Sequence, residues 1–135
     1  ILIHGLCGSH RSPGVSRTAA KLNQQGIRTI RVDMRGSGAS SGVSRSHLHG
    51  GNYWDANSII DAVHQLSPNS KISLVGFSLG GNIVLKTIES GVQIPTPEGQ
   101  NFFILFSFHF QILHKNCMSL FLTIFEYLVL QIRYQ

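Results

Sequence analysis

The segment that most constrains the fold is Gly76-Phe77-Ser78-Leu79-Gly80, which follows the apolar run Ile72-Ser73-Leu74-Val75. A short apolar run of this kind is typical of a buried β-strand. The glycines two positions before and after Ser78 remove side chains that would collide where a strand turns abruptly into a helix. The residues after this turn have one face at helical spacing, formed by Ile83, Val84, Thr87 and Ile88. The segment therefore predicts a strand, a sharp turn at Ser78 and a helix.

Ser78 is a candidate nucleophile, and the chain offers backbone donors for such a site. A serine hydroxyl at its ordinary pKa reacts poorly, so it needs a base and hydrogen-bond donors for the negative charge that develops. The Leu79 amide, at the start of the predicted helix, is one candidate oxyanion-hole donor, and the Leu6 amide in the first loop is the other. His4 is interpreted as a brace of that loop rather than as the base, because it precedes the serine. The residues assigned to support the sharp turn at Ser78, called the nucleophile elbow, and the first loop are His4, Gly5, Gly76, Gly80 and Gly81.

Between these two segments, helix and strand patterns alternate. Ser12-Pro13 predicts a helix start and Gly26 predicts the end of that helix. Residues 27–32 predict a strand, and residues 53–66 show helical spacing after a polar loop. Three strands that alternate with three helices predict an α/β fold with a mainly parallel sheet and right-handed crossovers.

Four motifs stand in order between residue 1 and about residue 92. They are His4-Gly5-Leu6-Cys7-Gly8-Ser9-His10-Arg11-Ser12-Pro13, Asp33-x-Arg35-Gly36-x-Gly38, His49-Gly50-Gly51 leading to Asp55, and Val75-Gly76-Phe77-Ser78-Leu79-Gly80-Gly81-Asn82-Ile83-Val84-Leu85-Lys86. Together they resemble the α/β-hydrolase family, and particularly its YheT-like branch of predicted esterases and lipases. The resemblance implies a truncated three-layer sandwich with helices on both faces of the sheet. The three strands would be the family's third, fourth and fifth, in the spatial order fourth, third, fifth.

The resemblance also implies acyl transfer. Ser78 would attack a carboxylic ester of a small molecule or lipid, a histidine would take its proton, and an acid would orient that histidine. No metal or organic cofactor is expected. The triad acid and histidine remain unidentified, because the family's order is serine, acid, histidine, whereas Asp33 and Asp55 precede the serine. Asp33 is interpreted as the brace of a turn and Asp55 as part of a helix start. The acids after the serine are Glu89, Glu98 and Glu126, and the histidines are His109 and His114, neither of which stands in a segment like the family's final strand and loop.

The composition changes sharply near residue 93, so residues 1–93 are interpreted as a partial hydrolase domain and residues 94–135 as a divergent hydrophobic tail. Seven of the eight phenylalanines lie between Phe102 and Phe125, whereas all 14 glycines lie at or before Gly99. Three explanations stay open: a reading frame that runs past the hydrolase segment, membrane association through residues 102–132, or completion of the core. In the last case, Phe102 to Phe110 would form the next strand and Ser119 to Ile132 a helix.

Net charge and cysteine content exclude only a few classes of binding partner and of metal or disulfide site. The net charge of +5 comes from scattered Lys and Arg residues without a nucleic-acid motif, so no nucleic-acid partner is expected. Cys7 and Cys117 suggest neither a disulfide framework nor a zinc site, and His47 with His49 lacks a third metal ligand. A cytoplasmic or membrane-associated location is weakly favoured, and the oligomeric state stays open. Because Ile1 is not an initiator residue, we expect the chain to be a fragment of the family's full domain.

Three functional hypotheses follow. The first is a serine esterase or lipase-like hydrolase, represented by the part that carries its nucleophile. The second is a catalytically inactive hydrolase-fold remnant or binding module. The third is a membrane-attached form in which the Phe-rich tail is the anchor.

Overall fold

The elements of the fold come from a computed structural model that describes residues 1–92, 102–107 and 127–132. The strands in these ranges are β1 (Leu2–Ile3), β2 (Arg31–Val32), β3 (Leu74–Phe77), β4 (Phe102–Ser107) and β5 (Tyr127–Ile132). The helices are α1 (Pro13–Gln24), α2 (Tyr53–Leu66) and α3 (Leu79–Glu89), with a single 3-10 turn at Gly38–Ser40.

The five strands form one sheet in the order β2-β1-β3-β4-β5. Neighbouring strands from β2 to β4 are parallel, and β5 runs antiparallel to β4. The order β2-β1-β3 confirms the predicted spatial order of the first three strands. Because parallel strands end at the same edge of a sheet, the loops that follow β1, β2 and β3 all lie at that edge, which is where the family of open α/β folds places its ligands.

Side chains that alternate along β1 and β3 build a core on each face of the sheet, as the twofold period of a strand requires. On one face, Leu2 and Val75 pack with Val15 and Ala19 of α1. The core of the other face contains Ile3, Met34, Ala56, Ile60, Ile72, Leu74, Ile83 and Val84. Helices therefore cover both faces of the sheet, and the predicted three-layer α/β arrangement is confirmed.

The helix boundaries follow local signals in the sequence. Pro13 is the first residue of α1, where its missing N–H costs nothing, and the chain leaves the helix through Gly26 at φ +74°. Ser12 is the N-cap residue, but its hydroxyl accepts a hydrogen bond from the Ser9 amide (2.9 Å) rather than from the helix. The bounds of α2 are those predicted from helical spacing.

Two sequence predictions are wrong in extent or type. The strand predicted over residues 27–32 is limited to Arg31–Val32, because its partner β1 has only two residues and the ladder has only two pairs. The helix predicted from Ser119 to Ile132 is wrong over its described part, since Tyr127–Ile132 is a strand paired with β4 along six residues. Phe102–Ser107 does form the next strand beside β3, and residues 108–110 of that prediction lie outside the described residues.

Candidate active site

Ser78 occupies a sharp junction between β3 and α3. Its φ of 52° and ψ of −117° lie where an L-residue is strained, and its side chain is exposed. A Cβ on Gly76 would overlap the backbone of Gly80, and a Cβ on Gly80 would lie 2.5 Å from the Ile3 carbonyl oxygen. The close approach of these backbones explains why the sequence has glycine at both positions, and it leaves Ser78 at the outer end of the turn.

The first loop passes directly beside Ser78. A Cβ placed on Gly5 would lie 3.1 Å from the Ser78 Cβ and 3.0 Å from the Phe77 carbonyl oxygen. Neither the Leu6 amide nor the Leu79 amide donates a hydrogen bond to any residue that the structure describes. The Leu79 amide belongs to the first turn of α3, where backbone N–H groups have no partner within the helix and carry the positive end of its dipole.

His4 is fully buried, and both of its ring nitrogens have partners. Nδ1 donates to the Gly5 carbonyl oxygen at 2.7 Å, while Nε2 accepts from the Met34 amide at 3.1 Å. With the hydrogen on Nδ1 and the Nε2 lone pair engaged, His4 has no free site to accept a proton from Ser78. Its geometry is that of a residue that ties the first loop to the end of β2.

Asp33 ties three backbone segments together. Its carboxylate accepts hydrogen bonds from the His10 amide (2.7 Å), from His10 Nδ1 (2.6 Å) and from the Ala39 amide (2.9 Å). Burial alone would raise the pKa of the Asp33 carboxyl, but the two backbone amides and the His10 side chain together lower that pKa from 3.8 to about 2. The turn after β2 is thereby fixed to the first loop.

The lowered pKa of Asp33 predicts a specific loss of stability in acid. The folded state binds the proton more weakly than the unfolded chain, so the contribution is present above about pH 4 and is lost as the pH falls toward 2. The shift corresponds to about 2 kcal/mol in the free energy of unfolding. Urea unfolding at pH 7 and pH 2 should show the difference between wild type and Asp33→Asn shrink by about that amount. The control is Glu89→Gln, which changes an exposed carboxylate, and an equal pH effect in both variants would contradict the prediction.

An ion pair holds the loop between β2 and α2. Asp55 forms a bidentate pair with Arg35, whose Nε lies 2.6 Å from Oδ2 and whose Nη2 contacts Oδ1. The prediction that Asp55 belongs to a helix start is confirmed, since Asp55 lies in the first turn of α2, and its carboxylate also pairs with Arg35. This pair holds the end of the loop at which Gly50 packs beside Leu79, where an added Cβ would be 3.5 Å from the leucine Cδ1.

A base and an acid for Ser78 are not found among the described residues. The Ser78 hydroxyl has no hydrogen-bond partner there: His4 and His10 are engaged elsewhere, and none of His47, His49 and His64 is hydrogen-bonded to it. Asp33 and Asp55 are paired as above, and Glu89 pairs with Lys86 at 2.6 Å on the surface. The sequence candidates Glu98, His109, His114 and Glu126 lie outside the described residues.

Three further features of the described part of the chain concern metal ligands, helix length and cavities. It contains no group of three or more His, Cys, Asp or Glu side chains that could hold a metal ion. None of the helices in the described ranges has the length and apolar character needed to cross a bilayer. A cavity of about 380 Å³ lies at the amino ends of the strands, opposite Ser78, and Leu22, Ile27 and Val63 contribute to its lining.

The sequence alone does not reveal two side-chain pairs at this edge of the sheet, the hydrogen-bonded pair Asp33–His10 and the ion pair Asp55–Arg35. His10, Asp33, Arg35 and Asp55 all stand in the four motifs, but His10 and Arg35 were given no role and the partners were not matched. Their positions in the sequence could have indicated these contacts. Asp33 and Arg35 come just after β2, at the edge of the sheet where the first loop and the start of α2 also lie.

Comparison with known families agrees with this geometry. A family model described as the α/β hydrolase fold matches residues 1–89, which is 89 of the 135 residues. No significant match was found among curated proteins or among solved structures. The YheT-like branch and a domain boundary at residue 93 stay predictions. The chain belongs to the α/β-hydrolase fold family.

Proposed function

We propose that this chain carries the nucleophile of a serine hydrolase that cleaves carboxylic esters, with the character of an esterase or lipase. Membership of the family supports a hydrolase in general and a small-molecule substrate. The observation that carries the ester-cleaving proposal is the exposed Ser78 at a strained strand-to-helix junction, beside the backbone of Gly5 in the first loop.

The proposed chemistry proceeds in two halves. Ser78 Oγ attacks the ester carbonyl carbon and loses its proton to a base, while the carbonyl oxygen becomes an oxyanion that the Leu6 and Leu79 amides stabilise. The carbon–oxygen bond to the alcohol then breaks, and the alcohol leaves with that proton. Water attacks the acyl-enzyme in the same way, which releases the acid and restores the Ser78 hydroxyl.

A non-catalytic function is the second candidate. It is favoured by one observation: no imidazole among the described residues is hydrogen-bonded to the Ser78 hydroxyl. In that case the fold would present Ser78 at a binding surface without activating it.

Membrane attachment through residues 102–132 is a separate proposal. A detergent phase separation tests it by comparing how the full chain and a chain lacking residues 101–135 divide between the detergent and the aqueous phase.

A fluorophosphonate probe separates the first two candidates. Reaction forms a bond between Ser78 Oγ and phosphorus, and fluoride leaves together with the hydroxyl proton. We expect the full chain to be labelled and to hydrolyse p-nitrophenyl esters, and Ser78→Ala to lose at least about 10³-fold in both rates.

Ser58→Ala is the control for this experiment, because Ser58 lies on α2 with its hydroxyl bonded to the Trp54 carbonyl oxygen at 3.0 Å. That variant should react like wild type. Labelling that persists in Ser78→Ala would disprove the nucleophile assignment. A full chain with neither labelling nor turnover would favour the non-catalytic function.

A further inference from the structure

His10 is the most firmly held residue of the loop that follows β1. Its amide and its Nδ1 both donate to the Asp33 carboxylate, at 2.7 and 2.6 Å. Its Nε2 accepts from Arg11 Nε and its carbonyl oxygen accepts from Arg31 Nη1, each at 3.2 Å. All four polar atoms of His10 therefore have partners, and its Nδ1 carries the ring hydrogen.

The tip of the same loop is a turn closed by one hydrogen bond, from the Gly8 amide to the Gly5 carbonyl oxygen at 3.0 Å. The Leu6 side chain is 67% exposed, and Cys7 is exposed with a φ of 56°. An exposed leucine buries little apolar surface, so packing of this side chain contributes little to the position of its own backbone. The Leu6 amide must therefore be placed by contacts elsewhere in the loop.

Besides the hydrogen bond that closes the turn, those contacts lie at the two ends of the loop, and they reach two adjacent residues after β2, Asp33 and Met34. At the near end, His4 Nε2 accepts from the Met34 amide, and at the far end His10 donates twice to Asp33. Leu6 lies between these two attachments. The loop is therefore attached at both ends to the residues that follow the neighbouring strand β2.

We propose that Asp33 and His10 form a positioning pair that holds the Leu6 amide where it stabilises the oxyanion formed at Ser78. This inference rests on the proposed function. The pair touches no reacting atom, so its effect on the reaction passes through the loop backbone. The turn sets the local geometry of the Leu6 amide, and the hydrogen-bonded pair helps to set where that turn lies relative to Ser78.

Two substitutions at position 10 test the proposal in the full chain. His10→Ala removes the ring bond to Asp33, whereas His10→Asn places a side-chain N–H on Cγ, where the Nδ1–H of histidine stood. His47→Ala is the control, since His47 is an exposed histidine of another loop. The two readouts are fluorophosphonate labelling kinetics and hydrogen exchange at the amides of residues 5–9.

We expect His10→Ala to lower the maximal labelling rate about 10- to 100-fold, approaching the loss of one oxyanion donor. The probe concentration that gives half-maximal labelling should stay within about twofold, because probe binding itself does not need the oxyanion. His10→Asn should recover most of the rate. A general loss of stability would not give this separation of rate from binding, nor recovery by asparagine.

Exchange at the loop amides should rise about 10-fold in His10→Ala and return toward wild type in His10→Asn. Unchanged exchange in His10→Ala would overturn the proposal, and so would faster exchange with an unchanged labelling rate. If wild type itself is not labelled at Ser78, the proposed function fails. The exchange data then decide separately whether the pair holds the loop, since they do not depend on reactivity.

Discussion

Ser78→Gly is expected to lose all fluorophosphonate labelling and to gain about 1 kcal/mol in the free energy of unfolding. The reactivity disappears with the hydroxyl. The stability rises because φ 52° and ψ −117° strain a residue with a Cβ by about 1–3 kcal/mol, whereas glycine adopts these angles freely. Part of that gain is offset by about 0.4–1 kcal/mol from the greater freedom of glycine in the unfolded chain. Urea unfolding and probe labelling of the same preparations measure both effects.

Ser78→Ala is the matched control for this prediction. Alanine removes the hydroxyl but keeps the Cβ, so it should lose reactivity without the gain in stability. The difference in unfolding free energy between the glycine and alanine variants therefore equals the backbone strain at this position less about 0.4–1 kcal/mol for the greater freedom of glycine in the unfolded chain. A glycine variant less stable than the alanine variant would show that the junction stores no strain. We expect these measurements to show that the backbone conformation of Ser78, which its reactivity requires, lowers the free energy of unfolding.

The elements that the sequence predicted well are those whose signals are local. The helix over residues 53–66 has the predicted bounds, because its apolar spacing and the residues that flank it are sufficient to define it. The junction at Ser78 was predictable for a related reason. Glycine is needed at positions 76 and 80 because another backbone segment passes too close for a Cβ. The two glycines can be recognised in the sequence without knowing which segment lies beside them.

The predictions that failed depended on which segment pairs with which. Residues 27–30 have strand-like composition, but a strand needs a partner ladder, and β1 pairs only as far as Arg31 and Val32. The apolar run that ends at Ile132 fits a helix or a strand equally well by periodicity, and pairing with β4 decides in favour of a strand over Tyr127–Ile132.

The site shows the same division between local and tertiary information. Ser78 could be proposed as a nucleophile from spacing alone, and the amides of Leu6 and Leu79 could be proposed as its oxyanion donors in the same way. The Asp33–His10 and Arg35–Asp55 pairs could not, because they join residues 23 and 20 positions apart through the sheet. A single sequence shows that charged residues are present but does not show which of them meet. These pairs connect the loops after β1 and β2 and the start of α2 into one frame around Ser78.

Gly76→Ala is expected to destabilise the chain by about 3 kcal/mol or more. An added Cβ would overlap the Gly80 backbone, and the overlap cannot be relieved by rotation of a side chain because the neighbouring atoms belong to the backbone at the start of α3. To make room, β3 and α3 would have to separate, which disturbs Leu74 and Ile83 in the core between them. Urea unfolding should show a lower midpoint, and labelling of Ser78 should fall as the junction opens.

Gly14→Ala provides the control, because it makes the same chemical change at a glycine with room for it. A Cβ at Gly14 would meet only the Phe77 ring, at 3.6 Å, which is an ordinary van der Waals distance. Since Gly14 lies in the first turn of α1, alanine there should stabilise the chain by up to about 1 kcal/mol. If Gly76→Ala lowers the free energy of unfolding and Gly14→Ala raises it, the requirement for glycine lies at the strand-to-helix junction and is not a general effect of adding a methyl group. A Gly76→Ala variant as stable as wild type would mean that the backbones of positions 76 and 80 are not in contact, and the structural basis for presenting Ser78 would fail with it.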